Sequence, residues 1–183
     1  MKTKLLMLLV LLGSLWTSNL YAQTRYPKRE FRGAWIQCVN GQFQGMPTEK
    51  MKKVLVSQLD NLQKAGINAI IFQVRAEADA LYKSPYEPWS RFLTGVQGKA
   101  PSPMWDPLQF MIEECHKRNM ELHAWINPYR AKTKGTGALS PMHPYSKNPE
   151  LFVQYAGQLY FDPGLPESRK YICKIVRRHC DPL

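Results

Sequence analysis

The feature that most constrains the fold is an apolar run at residues 67–74 that directly follows a helical pattern. This run, Ile-Asn-Ala-Ile-Ile-Phe-Gln-Val, consists almost entirely of β-formers, which is typical of a strand covered on both faces in a parallel sheet. Apolar residues recur at helical spacing between Thr48 and Gly66, at Met51, Val54, Leu55, Leu59 and Leu62. A second β-rich segment at residues 31–39 precedes that helix, so the three segments predict a βαβ unit.

The alternation of strand and helix signals continues along the chain. A long loop at 75–105 is rich in Pro, Gly, Ser and aromatic residues, and a loop of that length in a compact domain is usually functional. Asp106 before Pro107 is the pattern of a helix start, and the segment 120–126 predicts a third strand. The remaining expectations are a loop at 127–148, a short helix at 149–156, an extended segment at 159–162 and a last helix from Pro166. This pattern predicts an α/β fold with three strands side by side.

The first 22 residues predict an export signal. A cationic start with Lys2 and Lys4 precedes an apolar stretch at 5–12, and the segment ends in a small residue, Ala22, after which we expect cleavage. No cysteine lies near that position, and no other apolar run approaches the roughly 18 residues that span a membrane. We therefore expect a periplasmic or secreted protein with no stable membrane anchor after signal cleavage.

The net charge by itself excludes few classes of binding partner. The formal charge is +11, and loss of the two signal lysines lowers it to +9. The Lys and Arg residues are scattered and match no nucleic-acid-binding motif, so we expect no nucleic-acid partner. A solvated basic surface and attraction to an anionic envelope polymer both remain open.

The metal-ligating residues do not form a recognisable site. We expect neither a disulfide scaffold nor zinc from the widely spaced cysteines at Cys38, Cys115, Cys173 and Cys180. Glu113 and His116 form an E-x-x-H pair, but no second pair exists to complete a site, so a solvated helix face is favoured. The sequence therefore predicts no metal and no cofactor.

Polar and aromatic residues gather where the predicted strands end, which is where α/β proteins place their sites. Aromatic rings stack on sugar faces and polar side chains bind hydroxyls, so this mixture suits a carbohydrate cleft. Trp35 and Trp125 lie within strands, which favours core positions over ligand contact. Arg75 could pair with a nearby acid, Glu77 or Asp79, or contact a ligand, and His123 could be an interior histidine or a site residue.

Four ordered blocks of sequence resemble the glycosyl hydrolase-like 10 family: FRGAWIQCV, AGINAIIFQVRAEADALYKSPYEPWSRFLTG, WDPLQFMIEECHKRNMELHAWINPYR and YFDPGLPESRKYI. The resemblance covers residues 29–176. It implies the N-terminal part of a (β/α)8 TIM barrel, a glycoside hydrolase activity, and a polysaccharide substrate of the cell envelope such as peptidoglycan glycan. It marks as substrate-binding residues Arg75, Asp79, His123, Asn127, Tyr129 and Arg130. Ala76 replaces a proline common at that place in the family.

The resemblance also implies that the domain is incomplete, with about three barrel strands. The 161 residues that follow the signal fall short of the roughly 250 of a complete barrel. Family members continue into a fourth strand that carries acidic residues, whereas this sequence reads Arg-Arg-His-Cys-Asp-Pro-Leu at 177–183. One inserted nucleotide in a coding of the family-like segment RDIVTRYD gives that heptapeptide and a stop, so we expect a frameshifted tail.

Two hypotheses follow from the missing acidic residues. The first is a glycoside hydrolase domain that is inactive as this truncated chain, with no catalytic residue assigned. The alternative is a noncatalytic carbohydrate-binding protein or a pseudogene fragment. A small dinucleotide-binding domain is disfavoured, because no Gly-rich phosphate loop follows strand one or two.

Overall fold

A computed structural model describes residues 30–180, with the backbone alone for 178–180. The predicted signal, 1–22, and the last three residues of the predicted tail lie outside the described residues. Three parallel strands form one sheet in sequential order, and they are β1 (Gly33–Ile36), β2 (Ala69–Arg75) and β3 (Glu121–Ile126). The predicted βαβ alternation and the parallel pairing are confirmed.

The helices begin and end where the local chemistry of the sequence indicates. In chain order the first three are α1 (Thr48–Lys64), α2 (Arg91–Thr94) and α3 (Pro107–His116). The Asp106 carboxylate caps α3 by accepting hydrogen bonds from the backbone N–H groups of Leu108, at 3.0 Å, and Gln109, at 3.1 Å. After α1 the chain turns at Gly66, whose φ of 81° suits glycine, and the turn leads directly into β2.

Helices α1 and α3 pack on the same face of the sheet. Their apolar stripes meet the strands in one core, which includes Met51, Leu55 and Leu59 of α1, Met111 and Cys115 of α3, and Ile36, Ile70, Phe72 and Val74 of the sheet. In a doubly wound sheet the strand order reverses and helices cover both faces, whereas sequential order with helices on one face is the arrangement of a barrel wall. The fold is part of a (β/α)8 barrel, as predicted.

A second, antiparallel sheet follows β3. It has the order β4-β6-β5 and consists of β4 (Arg130–Lys132), β5 (Phe152–Tyr155) and β6 (Gln158–Phe161). The short helix α4 (Pro144–Lys147) and a 3-10 turn at Pro149–Leu151 precede β5, and α5 (Pro166–Cys180) follows β6. Leu159, Phe161 and Ile172 form the centre of a small second core beneath this sheet.

The prediction of a short helix at 149–156 is wrong. The segment forms one 3-10 turn and then strand β5, which pairs with β6 across a two-residue hairpin turn at Ala156 and Gly157. Both turn residues have positive φ, 49° and 75°, which is the backbone that matches the twist of a tight hairpin.

The search for membrane-spanning helices gave a negative result over the described part of the chain. Within residues 30–180, every helix is too short or too polar to cross a bilayer.

Candidate functional site at the carboxyl ends of the parallel strands

The face of the parallel sheet opposite α1 and α3 carries polar and aromatic side chains. Trp35 of β1, Ile71 of β2 and His123 of β3 share one register position. Two residues further along the strands, Gln73 of β2 lies beside Trp125 of β3. We call this surface the open face. Side chains on this face point to the interior in a (β/α)8 barrel, and those nearest the carboxyl ends of the strands lie next to the loops that form barrel sites.

Two tryptophans dominate the open face. Trp35 is 67% exposed, and its ring meets that of Trp125 edge to face with centroids 5.1 Å apart. The expectation that Trp35 is a core residue is wrong, because β1 is an edge strand and nothing among the described residues covers this side of it. Trp125 is half-buried, and its indole N–H donates a 3.0 Å hydrogen bond to Asn127 Oδ1.

A groove of about 730 Å3 runs beside this pair, between β1 and α1. We call it the tryptophan groove. Besides Trp35 and Trp125, its lining includes five side-chain amides, those of Gln37, Asn40, Gln42, Gln58 and Asn61. Each amide offers both donors and an acceptor, and together with exposed aromatic faces they match the chemistry of sugar hydroxyl and acetamido groups.

Asn127 joins the ends of β2 and β3. Its backbone N–H donates to the carbonyl of Arg75 at 2.9 Å, and its side-chain Nδ2 donates to the carbonyl of Ala76 at 3.3 Å. Because its Oδ1 also accepts from Trp125, Asn127 orients one wall of the tryptophan groove. His123 lies on the same face with its side chain 47% exposed, and its Nε2 is 3.2 Å from Glu121 Oε2.

Arg75 is enclosed at the end of β2. Its Nε and Nη2 each donate a 2.7 Å hydrogen bond to the carboxylate of Glu87, and both side chains have no exposed surface. Its Nη1 donates to the carbonyls of Asn127 and Pro128, and Tyr171 donates to Glu87 at 3.4 Å. Burial by itself lowers the pKa of Arg75, but the nearby carboxylate of Glu87 outweighs it, so the pKa of Arg75 is raised.

Asp79 is buried in the loop after β2. It accepts a 3.1 Å hydrogen bond from the backbone N–H of Glu77 and a 3.3 Å hydrogen bond from the side-chain amide of Gln97. Burial raises the pKa of Asp79 to about 6, with hydrogen bonds from Gln97 and Ser90 acting in the opposite direction.

Glu77 is buried beside Asp79 but has the opposite titration behaviour. Arg91 donates to its carboxylate at 2.9 and 3.2 Å, and the hydroxyls of Thr133 and Thr136 donate to the same group. Burial alone would raise the pKa of Glu77, but these donors outweigh it and hold the pKa below its ordinary value. Glu77 therefore stays charged and connects the loop after β2 to the loop after β4.

His143 is buried and belongs to the same hydrogen-bond network as Glu77. Its Nε2 faces the carbonyl oxygens of Glu77, at 3.0 Å, and Ala131, at 3.2 Å, so Nε2 carries the proton and donates to them. Its Nδ1 accepts from the backbone N–H of Tyr145 at 3.2 Å, which caps α4. Burial lowers the pKa of His143, so the ring is neutral at neutral pH.

The structure separates the sequence-predicted site residues into three places. His123 and Asn127 lie at the open face with the tryptophans, while Arg75 at the end of β2 and Asp79 in the loop that follows it are both buried. Tyr129 packs against the second core, and Arg130 belongs to β4, opposite Tyr160. Sequence reasoning missed the main partners, Glu87, Arg91 and His143, because each is twelve or more residues from the group that it contacts.

Metal-binding side chains do not converge in the described region. Among residues 30–180, no group of three His, Cys, Asp or Glu side chains is placed to hold a metal ion. Glu113 and His116 are exposed on α3, where Glu113 accepts a 2.9 Å hydrogen bond from Gln109. Free thiols are present at Cys38 and Cys115, which are buried, and at Cys173, which is exposed.

The match to a family model decides the family. The model described as Glycosyl hydrolase-like 10 matches residues 30–180, which include both sheets and the open face. The chain belongs to the Glycosyl hydrolase-like 10 family. The matched residues include the loops that follow β2 and β3, so they cover the whole candidate site.

Two curated proteins resemble this Glycosyl hydrolase-like 10 chain over most of its length. It is 47% identical over 152 residues to "Glycosyl hydrolase YngK" of Bacillus subtilis (strain 168), covering 80% of this chain and 29% of that protein. It is 32% identical over 176 residues to "Glycosyl hydrolase DigH" of Escherichia coli (strain K12), covering 85% of this chain and 40% of that protein. The chain thus spans well under half the length of these relatives.

A solved structure supports the fold. The maltogenic alpha-amylase AmyB from Thermotoga neapolitana superimposes with a TM-score of 0.50 at 17% sequence identity, covering 80% of this chain and 35% of that chain. At this identity the likeness bears on the fold alone, and it agrees with a partial barrel wall.

Proposed function

We propose that this protein is an exported member of its glycoside hydrolase-like family that binds cell-envelope polysaccharide, with peptidoglycan glycan strands as the ligand. The observation that carries the proposal is the exposed Trp35–Trp125 pair beside five amide side chains in the tryptophan groove. Aromatic faces stack on the C–H faces of sugars, and amides bind hydroxyl and acetamido groups.

Export is the second part of the proposal. The cationic and apolar segment that ends at Ala22 supports delivery to the periplasm or the medium, where cell-wall glycan is accessible. Cell fractionation and N-terminal sequencing test it. We expect a soluble product that begins at Gln23, and an uncleaved cytoplasmic chain would contradict export.

The third part is that the 183-residue chain binds glycan without cleaving it. Glycoside cleavage needs two carboxyl groups that flank the bond. The carboxylates in the loop after β2, Glu77, Asp79 and Glu87, are all buried, and Glu77 and Glu87 are each paired with an arginine. We therefore expect no release of reducing ends from glycan strands freed of stem peptides. Turnover that is abolished by Asp79→Asn would contradict this part.

Calorimetric titration of the purified chain with those strands tests binding. Trp35→Ala should weaken binding at least about fivefold, because removing an aromatic platform loses roughly 1–3 kcal/mol of stacking on a planar or ring ligand. Trp35 is exposed, so the substitution leaves the core intact.

The matched control is Tyr155→Ala. Tyr155 is also a highly exposed aromatic residue, 74% accessible, but it lies on the β5–β6 hairpin outside the tryptophan groove. Its loss should leave the affinity unchanged. Equal losses in both variants, or unaltered binding by Trp35→Ala, would overturn the sugar-binding proposal.

A further inference from the structure

A second groove, of about 550 Å3, lies along α5 and is separate from the tryptophan groove. We call it the basic groove, and its lining residues are Tyr86, Pro166, Arg169, Lys170, Cys173, Lys174 and Arg177. Nothing in the candidate site described above uses it.

The basic groove carries four cations and no acidic side chain in its lining. Among the described side chains, no carboxylate forms an ion pair with Lys170, Lys174 or Arg177. Arg169 donates from Nη1 to the carbonyls of Pro163, at 2.8 Å, and Gly164, at 2.9 Å, which orients the guanidinium but does not neutralise it. The described side chains of the groove therefore concentrate positive charge, with no carboxylate among them to neutralise it.

The cations form a line. Lys170, Lys174 and Arg177 are four and three residues apart, so they share one face of α5 over about 10 Å at a rise of 1.5 Å per residue. The Lys174 ammonium lies 3.9 Å from the centre of the Tyr86 ring, which holds it at the floor of the groove. A line of charges suits an extended polymer with repeated anionic groups better than a single small anion.

The basic groove adjoins the loop that follows β2. Tyr86 and Glu87 are neighbours in that loop, and Glu87 is contacted both by Arg75 at the end of β2 and by Tyr171 on α5. The helix that carries the cations is thus joined to the loop that follows β2 through Tyr171.

We propose that the basic groove binds the carboxylate groups of an anionic glycan strand. The inference rests on the proposed function and deepens it: when stem peptides are absent, every second sugar of a peptidoglycan strand carries a free lactyl carboxylate. Lys and Arg side chains in a line bind such carboxylates by charge-assisted hydrogen bonds.

Two other polyanionic surfaces fit the groove less well. Single-stranded nucleic acid needs open aromatic faces for base stacking, and Lys174 already occupies a face of Tyr86. A membrane-binding helix inserts apolar residues into lipid, whereas Ile172 and Ile175 of α5 are buried in the protein.

The test uses the full chain and two forms of one probe: glycan strands freed of stem peptides, and the same strands with their carboxylates converted to amides. The variant Lys170→Gln/Lys174→Gln/Arg177→Gln removes the line of charge. The control, Lys50→Gln/Lys53→Gln/Lys64→Gln, removes the same charge from exposed positions on α1.

At low salt we expect the wild-type chain and the control to bind native strands about tenfold more tightly than amidated strands, and the groove variant to lose that preference. Native strands should also slow modification of the exposed Cys173 thiol, read on its own peptide, and amidated strands should not.

The remaining outcomes separate the two proposals. Equal binding of both strand forms by the wild-type chain, unchanged by the groove variant, overturns the basic groove and leaves the sugar-binding proposal standing. Failure to bind either form overturns the proposed function itself. Tighter binding to single-stranded DNA or to vesicles of anionic phospholipid than to native strands overturns the assignment to glycan.

Discussion

Arg75 has a structural role that reaches beyond its own strand. It ends β2, pairs with Glu87 from the following loop, and donates to backbone carbonyls after β3. A buried ion pair of this kind adds little compared with an apolar pair of the same size, but losing one partner leaves a charge uncompensated. The loop that shapes the site therefore depends on both groups being present.

Arg75→Met should lower the free energy of unfolding by about 3–5 kcal/mol, because the buried Glu87 would lose its ion-pair partner. Urea denaturation measures the change. In the control, Lys117→Met removes an exposed cation that pairs with Glu114 at 2.6 Å, and it should cost less than about 1 kcal/mol. Similar losses in the two variants would contradict the buried-pair account.

Asp79 should give the stability of the protein a distinctive pH dependence. Its folded-state pKa is raised from 3.8 to about 6, so its stabilising contribution is complete below pH 3.8 and is lost as the pH rises through about 6. Asp79→Asn abolishes this titration. The difference in unfolding free energy between the wild type and Asp79→Asn should change by roughly 3 kcal/mol between pH 4 and pH 8.

The control for this pH profile is Glu113→Gln, which alters an exposed carboxylate on α3. Its stability curve should run parallel to that of the wild type. A parallel curve for Asp79→Asn as well would mean that Asp79 is not desolvated as the structure has it. His143, whose pKa is lowered by burial, is common to all three proteins, and its contribution is lost in each as the pH falls below its ordinary value.

Among the secondary-structure elements, sequence periodicity predicted helices α1 and α3, whose signals are local. It missed strand β5, which depends on pairing with another strand. The helical spacing of Met51, Leu55 and Leu59 and the Asp106 cap fully define α1 and α3, because those signals act within a few residues. Strand β5 carries no such signal. Its partner β6 and the turn between them decide its state, and the small Ala156–Gly157 pair was too weak a hairpin pattern to predict it.

The candidate site also combines features that the sequence predicts with features that it does not. The carboxyl ends of the strands were predictable from the order of the elements, and Asn127 is placed there. The exposure of Trp35 could not be predicted, because it depends on which face of the sheet the helices cover. The partners of Arg75 and Glu77 come from loops whose paths have no period in the sequence.

The hairpin turn provides a test at this scale. Gly157→Ala should destabilise the protein by about 1 kcal/mol, because an L-residue at a φ of 75° is strained although no atom lies near the new methyl group. Gly137→Ala also meets no neighbour and lacks a positive φ, so it should be neutral or slightly stabilising. Thermal unfolding compares the two. Equal effects would contradict the hairpin geometry.

In the fold as a whole, helices pack on one face of the parallel sheet, and the other face carries exposed aromatic and polar side chains. Helices α1 and α3 bury the apolar side of β1, β2 and β3, which leaves Trp35, His123 and Trp125 on the open face. Ion pairs after β2 hold the rim of this face, and the basic groove on α5 adjoins it. We propose that this open face recognises glycan.

The most direct measurement is a titration of the purified chain with peptide-free glycan strands, followed through the indole N–H signals in nuclear magnetic resonance spectra. We predict that the signals of Trp35 and Trp125 shift in parallel with saturation, while those of Trp89 and Trp105, which pack against the main core and do not line the tryptophan groove, stay in place. Shifts confined to Trp89 or Trp105, or no shift at a glycan concentration that saturates binding, would contradict the account.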